Sequence, residues 1–187
     1  YGKDITFKII DIKDTEQGYM YTLKGINLRI IADSLEDDLE VVAEGKSTQY
    51  DQVFNRKVNT SIKRILINRG NIKDLSFGRP GKILHIDGDA EYLDVCLKVY
   101  KQLALDVVGK VIPEKDQPKQ VLEMVKSVKP DIVVITGHDA VAKDTKDYMD
   151  LKNYKNSKYF IDTVIELRNY EPGYDNLVIF AGACQNN

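Results

Sequence analysis

The chain has 187 residues, 43% of them hydrophobic and 30% charged, with a formal net charge of −2. This is ordinary for a soluble globular protein of one large or two small domains. No apolar run approaches the roughly 18–20 residues of a membrane span, and no signal-peptide pattern opens the chain, so no membrane partner is expected. The two cysteines, Cys96 and Cys184, differ in setting and argue against a disulfide framework and for a reducing, cytoplasmic compartment.

Charge divides the chain into three segments. Residues 1–45 carry ten acidic and five basic side chains, residues 46–79 two and eight, and residues 80–187 seventeen and fourteen. In the first segment, residues 5–13, 19–24, 28–33 and 39–43 are short alternating or β-branched runs separated by Gln17-Gly18 and Gly25-Ile26-Asn27. Four such strands predict a small antiparallel barrel or sheet, SH3-like, suited to binding rather than chemistry. In the second segment Phe54, Val58, Ile62 and then Ile65 or Leu66 recur at helical spacing, which predicts one amphipathic helix. Arg56, Lys57, Lys63, Arg64, Arg69, Lys73 and Arg79 make this linker basic. It has no interleaved aromatics and no nucleic-acid motif, so no nucleic-acid partner is expected.

From residue 80 the pattern becomes alternating strand and helix. Strands are predicted at 82–86, 106–112, 131–136 and 176–181, and helices at 90–104, 115–128 and about 148–169. Strands separated by helices of this length imply an α/β fold with a parallel sheet and right-handed crossovers. Two of these strands, in VVITGHDA and LVIFAGACQ, are continuous apolar runs closed by glycine-containing turns, as strands buried on both faces require. His138 lies just beyond the first and Cys184 just beyond the second. Ligands and catalytic groups gather at the carboxyl ends of parallel strands. A thiol and an imidazole on one sheet edge are what a cysteine nucleophile needs. Cys96 shares a helix face with Leu93, Leu97 and Tyr100 and reads as core.

His85-Ile86-Asp87-Gly88-Asp89 closes the first of these strands on the same edge. Asp87-Gly88 suits a turn and Asp89 a helix cap. Alternatively, Asp87, Asp89 and Asp139 make an acidic pocket for an arginine side chain, whose guanidinium pairs with carboxylates. His85, Asp87, His138 and Cys184 lack the short ligand spacings of a structural zinc site, so no metal and no cofactor are expected.

An apolar strand ending in His and an apolar strand ending in Ala-Cys, with the Cys forty-six positions after the His, together resemble the caspase-like cysteine peptidases. More narrowly, KILHIDGDAEYLDVCLKVYKQL, PDIVVITGHDA, NYKNSKYFIDTV and LVIFAGACQ, in that order, resemble the YabG family of sporulation-specific cysteine proteases. The resemblance implies a caspase-like parallel sheet flanked by helices and a cysteine endopeptidase with Cys184 as nucleophile and His138 as its proton partner. It also implies protein substrates among spore coat and cortex-associated proteins in the mother cell, and no cofactor. Caspase-like enzymes usually place glycine directly after the catalytic histidine and use its N–H in the oxyanion hole. Here the order is Gly137-His138-Asp139, so the donors would be the N–H groups of Asp139 and of Cys184.

Two expectations follow. An arginine-directed peptidase with exposed arginines in its linker is expected to cut itself between residues 46 and 79. The sequence stops three residues after Cys184, so the catalytic domain is expected to be truncated at its C-terminus. Two other readings use the same residues differently. Gly182-Ala183-Cys184 partly fits the nucleophile elbow of an amidohydrolase or glutaminase, although position 186 is Asn where that elbow needs Gly. The other is a non-catalytic spore-coat scaffold. Oligomeric state is not legible in the sequence.

Overall fold

A computed structural model describes the backbone of residues 5–27, 29–43, 49–71, 81–141, 147 and 150–186, and the side chains of these residues except 49–51, 68–71 and 184–186. Residue 28 of the predicted second-last N-terminal strand, the linker residues Lys73 and Arg79, the side chain of Arg69 and the side chain of Cys184 lie outside that description. The chain divides into two compact units, residues 1–67 with 186–187 and residues 68–185.

In the first unit β1 (Phe7–Thr15), β2 (Gly18–Gly25) and β3 (Ile31–Leu35) form an antiparallel meander in the order β1-β2-β3. The β1–β2 hairpin closes with Thr15 opposite Gly18, and Gly18 takes a φ of +107° that other residues rarely adopt. The predicted fourth strand at 39–43 does not form: a 3₁₀ turn, Glu36–Asp38, ends β3, and the next residues run on without a ladder. Val41 is 95% exposed there, so its β-branched character finds neither a partner strand nor a packing surface. Helix α1 (Gln49–Asn71) follows, with Ile62 buried and Phe54 and Val58 half-buried on one stripe, while Ile65 and Leu66 are exposed.

The second unit is an α/β domain. Its elements are β4 (Ile83–Asp87), α2 (Ala90–Gln102), β5 (Val107–Val111), α3 (Gln117–Val128), β6 (Ile132–Ala140), α4 (Ser157–Tyr170) and β7 (Val178–Asn186). They build a four-stranded parallel sheet in the order β5-β4-β6-β7, with Ile83 opposite both Val107 and Ile132. The predicted long helix is shorter at its start, because a 3₁₀ turn at Leu151–Asn153 precedes α4.

The pleat sorts the strands into two faces. Leu84, Ile86, Val133 and Ile135 join Val121 and Val125 of α3, Phe160 and Leu167 of α4, and Leu177 in one buried cluster. Fully burying side chains of this size is worth about 1.5–3 kcal/mol each, so this face supplies most of the domain's stability. On the other face α2 covers the sheet, and that face carries polar residues, His85 and Asp87 among them, which are 2% and 1% exposed. Gly109 of β5 lets α2 approach, since a Cβ there would lie 2.8 Å from a Leu97 methyl.

Both strands that carry the site continue beyond the predicted turns. β6 runs through Gly137 to Ala140, and β7 runs through Gly182 to Asn186. Glycine inside a strand marks a close approach rather than a chain reversal. At Gly137 the approaching group is the Glu114 carboxylate, which would stand 2.4 Å from an added Cβ.

Candidate active site

In the sheet order β5-β4-β6-β7 the crossover that leaves β4 and the one that leaves β6 run in opposite directions. The carboxyl ends of β4 and β6 therefore flank the topological switch point, where open α/β sheets leave a crevice for ligands. β4 delivers Asp87, Gly88 and Asp89 to this point, and β6 delivers Thr136, Gly137, His138 and Asp139.

His138 is fixed from several sides. Its Nε2 lies 3.0 Å from Asp89 Oδ2, and both side chains are largely buried, at 17% and 15% exposure. The imidazole meets the ring of Tyr92 edge-on at 5.6 Å between centroids. Its backbone N–H donates to Glu114 Oε1 at 2.7 Å, and its carbonyl accepts from Asn156 Nδ2 at 2.8 Å. The remaining ring nitrogen, Nδ1, is buried and has no partner among the described residues. A carboxylate at Nε2 can only accept, so Nε2 carries the proton and the neutral ring has its lone pair on Nδ1. The arrangement presents a base whose tautomer and orientation are set by an acid.

Asp89 does two jobs with one carboxylate. Oδ1 accepts from the backbone N–H groups of Glu91 and Tyr92, capping α2, while Oδ2 faces His138. The sequence indicated the cap but not the histidine. Asp87 accepts from the Asp89 N–H at 2.8 Å and from Thr136 Oγ1 at 2.6 Å. Asp139 points to the opposite side of the sheet from His138. It is 2% exposed and takes hydrogen bonds from the N–H groups of Ala140 and Asn156 and from the Ser157 hydroxyl, anchoring the start of α4. The three carboxylates singled out in the sequence thus reach one sheet edge, each engaged in internal hydrogen bonds rather than lining an open pocket together.

Glu114 was not visible in the sequence as a site residue. It lies in the turn after β5, with no motif around it, and its carboxylate occupies the space left by two glycines. A Cβ at Gly88 would stand 2.2 Å from its Oε1 and one at Gly137 2.4 Å. The paired glycines were the available signal. Between α4 and β7 lies an apolar groove of about 380 Å³, walled by Leu151, Phe160 and Ile161 on one side and Ala181, Gly182 and Ala183 on the other. Cys184 is the next residue along β7. Gly182-Ala183-Cys184 runs inside that strand and not on the strand-to-helix turn that a nucleophile elbow requires.

Among the described residues no group of three or more His, Cys, Asp or Glu is arranged to hold a metal ion, and no helix is long and apolar enough to cross a membrane. Cys96, on α2, is half-buried beside Tyr100.

A carboxylate-oriented imidazole, one nitrogen of which has no partner among the described residues, thus stands at the switch point of a parallel sheet, where open α/β folds take their ligands. A family model described as YabG peptidase U57 matches residues 1–187, and the chain belongs to that family of peptidases. The sporulation-specific protease YabG of Bacillus subtilis (strain 168) is 35% identical over 202 residues, covering 100% of this chain and 70% of that protein. No solved structure matches the chain.

Proposed function

We propose that the chain is a cysteine endopeptidase in which Cys184 attacks the scissile carbonyl, His138 carries the proton and Asp89 orients His138. The observation that carries this reading is the buried His138 Nδ1, which has no partner among the described residues, on a ring whose other nitrogen faces a carboxylate. Register supports the choice of nucleophile. Ile83 N–H bonds the Asp106 carbonyl where Ile83 stands opposite Val107, and Val178 N–H bonds the Asp131 carbonyl in the same way. Val178 is therefore opposite Ile132, and counting up both strands gives Cys184 the position opposite His138.

In the reaction Nδ1 accepts the thiol proton, and the thiolate adds to the carbonyl. The backbone N–H groups of Cys184 and Asp139 serve the oxyanion once they are released from the β6–β7 ladder, where this register pairs them with the Gly137 and Cys184 carbonyls. The imidazolium then returns its proton to the leaving amine as the C–N bond breaks, and water releases the acyl group from sulfur. Asp89 holds a negative charge beside the imidazolium throughout, as the third member of such a unit does.

The relative's name supports a role in sporulation. The reading extends to spore coat and cortex-associated proteins as substrates in the mother cell. Cleavage after arginine is supported by the acidic edge of Asp87, Asp89, Glu114 and Asp139. With all four engaged internally, they act on a guanidinium through their summed field more than by direct pairing. Self-cleavage in the basic segment belongs to the same reading. Arg56 and Arg64 are exposed but lie within α1, so cutting there requires the helix to unwind locally.

The test is substitution with a folded-state control. Cys184→Ala and His138→Ala each abolish turnover, and the double variant is scarcely worse than either single one, because members of a catalytic unit do not contribute independently. A thiol-directed inhibitor labels Cys184 and spares Cys96. Folded His138→Ala protein that kept more than about one-tenth of parental activity would end the assignment, since general acid–base groups contribute at least about 100-fold.

A further inference from the structure

The polar face beneath the site holds a second layer that the reaction does not explain. His85 is 2% exposed in the middle of the sheet, an expensive place for an imidazole. Its Nδ1 lies 3.1 Å from the Tyr100 hydroxyl and its Nε2 2.9 Å from Thr136 Oγ1. Thr136 has a single proton. The 2.6 Å contact to Asp87 Oδ2 claims it ahead of the Ile86 carbonyl at 3.4 Å. His85 Nε2 must then donate to Thr136, and in the neutral ring Nδ1 accepts from Tyr100. The chain has one direction: Tyr100 to His85, His85 to Thr136, Thr136 to Asp87. Asp87 accepts the Asp89 backbone N–H through its other oxygen at 2.8 Å, and Asp89 holds His138 at 3.0 Å.

We propose that His85, Thr136 and Asp87 are positioning residues that fix Asp89, and through it the ring of His138, by this buried one-way relay. Two observations carry it. The bonds are contiguous from α2 through β4 and β6 to the site, and an apolar side chain at position 85 or 136 would pack the same face without burying polar atoms. Burial raises the Tyr100 pKa, with the neighbouring Cys96 adding to it, which keeps the phenol a donor at the head of the chain. Among the described residues the titratable groups around His138 are Asp89, which caps α2, Tyr92 of α2 and Glu114 of the turn after β5, with Asp87 behind Asp89. Around His85 they are Asp87 and Tyr100, with Cys96 beyond.

The inference rests on the role proposed for His138, and the test separates the two. The chain has only two histidines, so both imidazoles can be followed by long-range ¹H–¹⁵N NMR without crowding. Thr136→Val keeps the shape and removes the hydroxyl. The His138 titration should then move to lower pH, because Asp89 is less firmly held beside the imidazolium. kcat should fall about 10- to 100-fold, the scale of a misplaced catalytic group, with KM unchanged within about twofold. Thr136→Ser should restore most of the rate, and Tyr100→Phe should give a smaller shift of the same sign. A merely structural role would lower the yield of titratable active enzyme and leave the His138 titration in place. That outcome, or a Thr136→Ser no better than Thr136→Val, overturns the relay. Should His138→Ala stay active while Thr136→Val still shifts the His138 titration, the relay stands and the catalytic reading falls.

Discussion

Asp89→Asn isolates one half of a carboxylate that does two jobs. The variant keeps an oxygen for the N–H groups of Glu91 and Tyr92, and asparagine caps helices about as well as aspartate. Loss of stability should therefore stay below about 0.5 kcal/mol. The other half of the amide turns an NH₂ donor towards His138 Nε2, where the parent has an acceptor at 3.0 Å. The ring must release that proton and carry it on Nδ1, the nitrogen that should meet the thiol. The lost charge-assisted hydrogen bond is worth about 1.5–3 kcal/mol, and the pair is too buried for solvent to screen it away. With 1.36 kcal/mol per tenfold in rate, that alone is roughly 10- to 150-fold, and the wrong tautomer takes the loss in kcat to about 10²–10⁴-fold. Hydrolysis of an arginyl peptide substrate, read beside thermal unfolding, measures both quantities. Asp89→Ala loses the cap as well and should unfold about 1 kcal/mol more readily. Asp89→Asn within threefold of the parent, or a rate loss that merely tracks a fall in Tm, would refute the assignment.

Three further outcomes are expected. Gly137→Ala places a Cβ 2.4 Å from Glu114 Oε1 and 2.8 Å from its Cγ, so the carboxylate must leave the His138 N–H at a cost of about 1–2 kcal/mol; chemical denaturation should show this, and Glu114→Ala added to Gly137→Ala should cost little more. Tyr100 has a folded pKa above its unfolded value of 10.0, chiefly through burial, so its stabilisation is complete below that pH and is lost as pH rises through the folded value; urea midpoints should fall above about pH 10 less steeply in Tyr100→Phe than in the parent, and equal slopes would contradict this. Incubated parental protein should accumulate fragments whose new N-termini follow Arg56, Arg64, Arg69 or Arg79, whereas Cys184→Ala protein stays whole by intact-mass spectrometry; identical nicking of both would point to a contaminating protease.

The parallel sheet was legible because its strands announce themselves locally, as in the run Ile132–Ile135 and in KILHI, and because each helix between them has a clear apolar stripe. The pair His138–Asp89 was not. Its members are forty-nine residues apart and meet only because β4 sits beside β6, a fact of strand order that no spacing encodes. The opposed directions of His138 and Asp139 were within reach, since Val133 and Ile135 already define the inward parity of β6. Glu114 depended on a turn after a different strand. The missing strand at 39–43 shows the converse: Val41 and Val42 have the propensity, but a strand exists only where a ladder receives it.

The division of β4 and β6 into an apolar face and a polar face has a consequence for how this domain tolerates change. On the proposed roles, substitutions at Leu84, Ile86, Val133 and Ile135 should act on abundance, and those at His85, Asp87, Thr136 and His138 on turnover. A mutational scan read once for soluble yield and once for peptide hydrolysis should therefore give two interleaved combs along each strand, offset by a single residue. The deletion of one residue anywhere in 132–137 would slide one comb onto the other, handing the imidazole to the oily side and the methyl groups to the site.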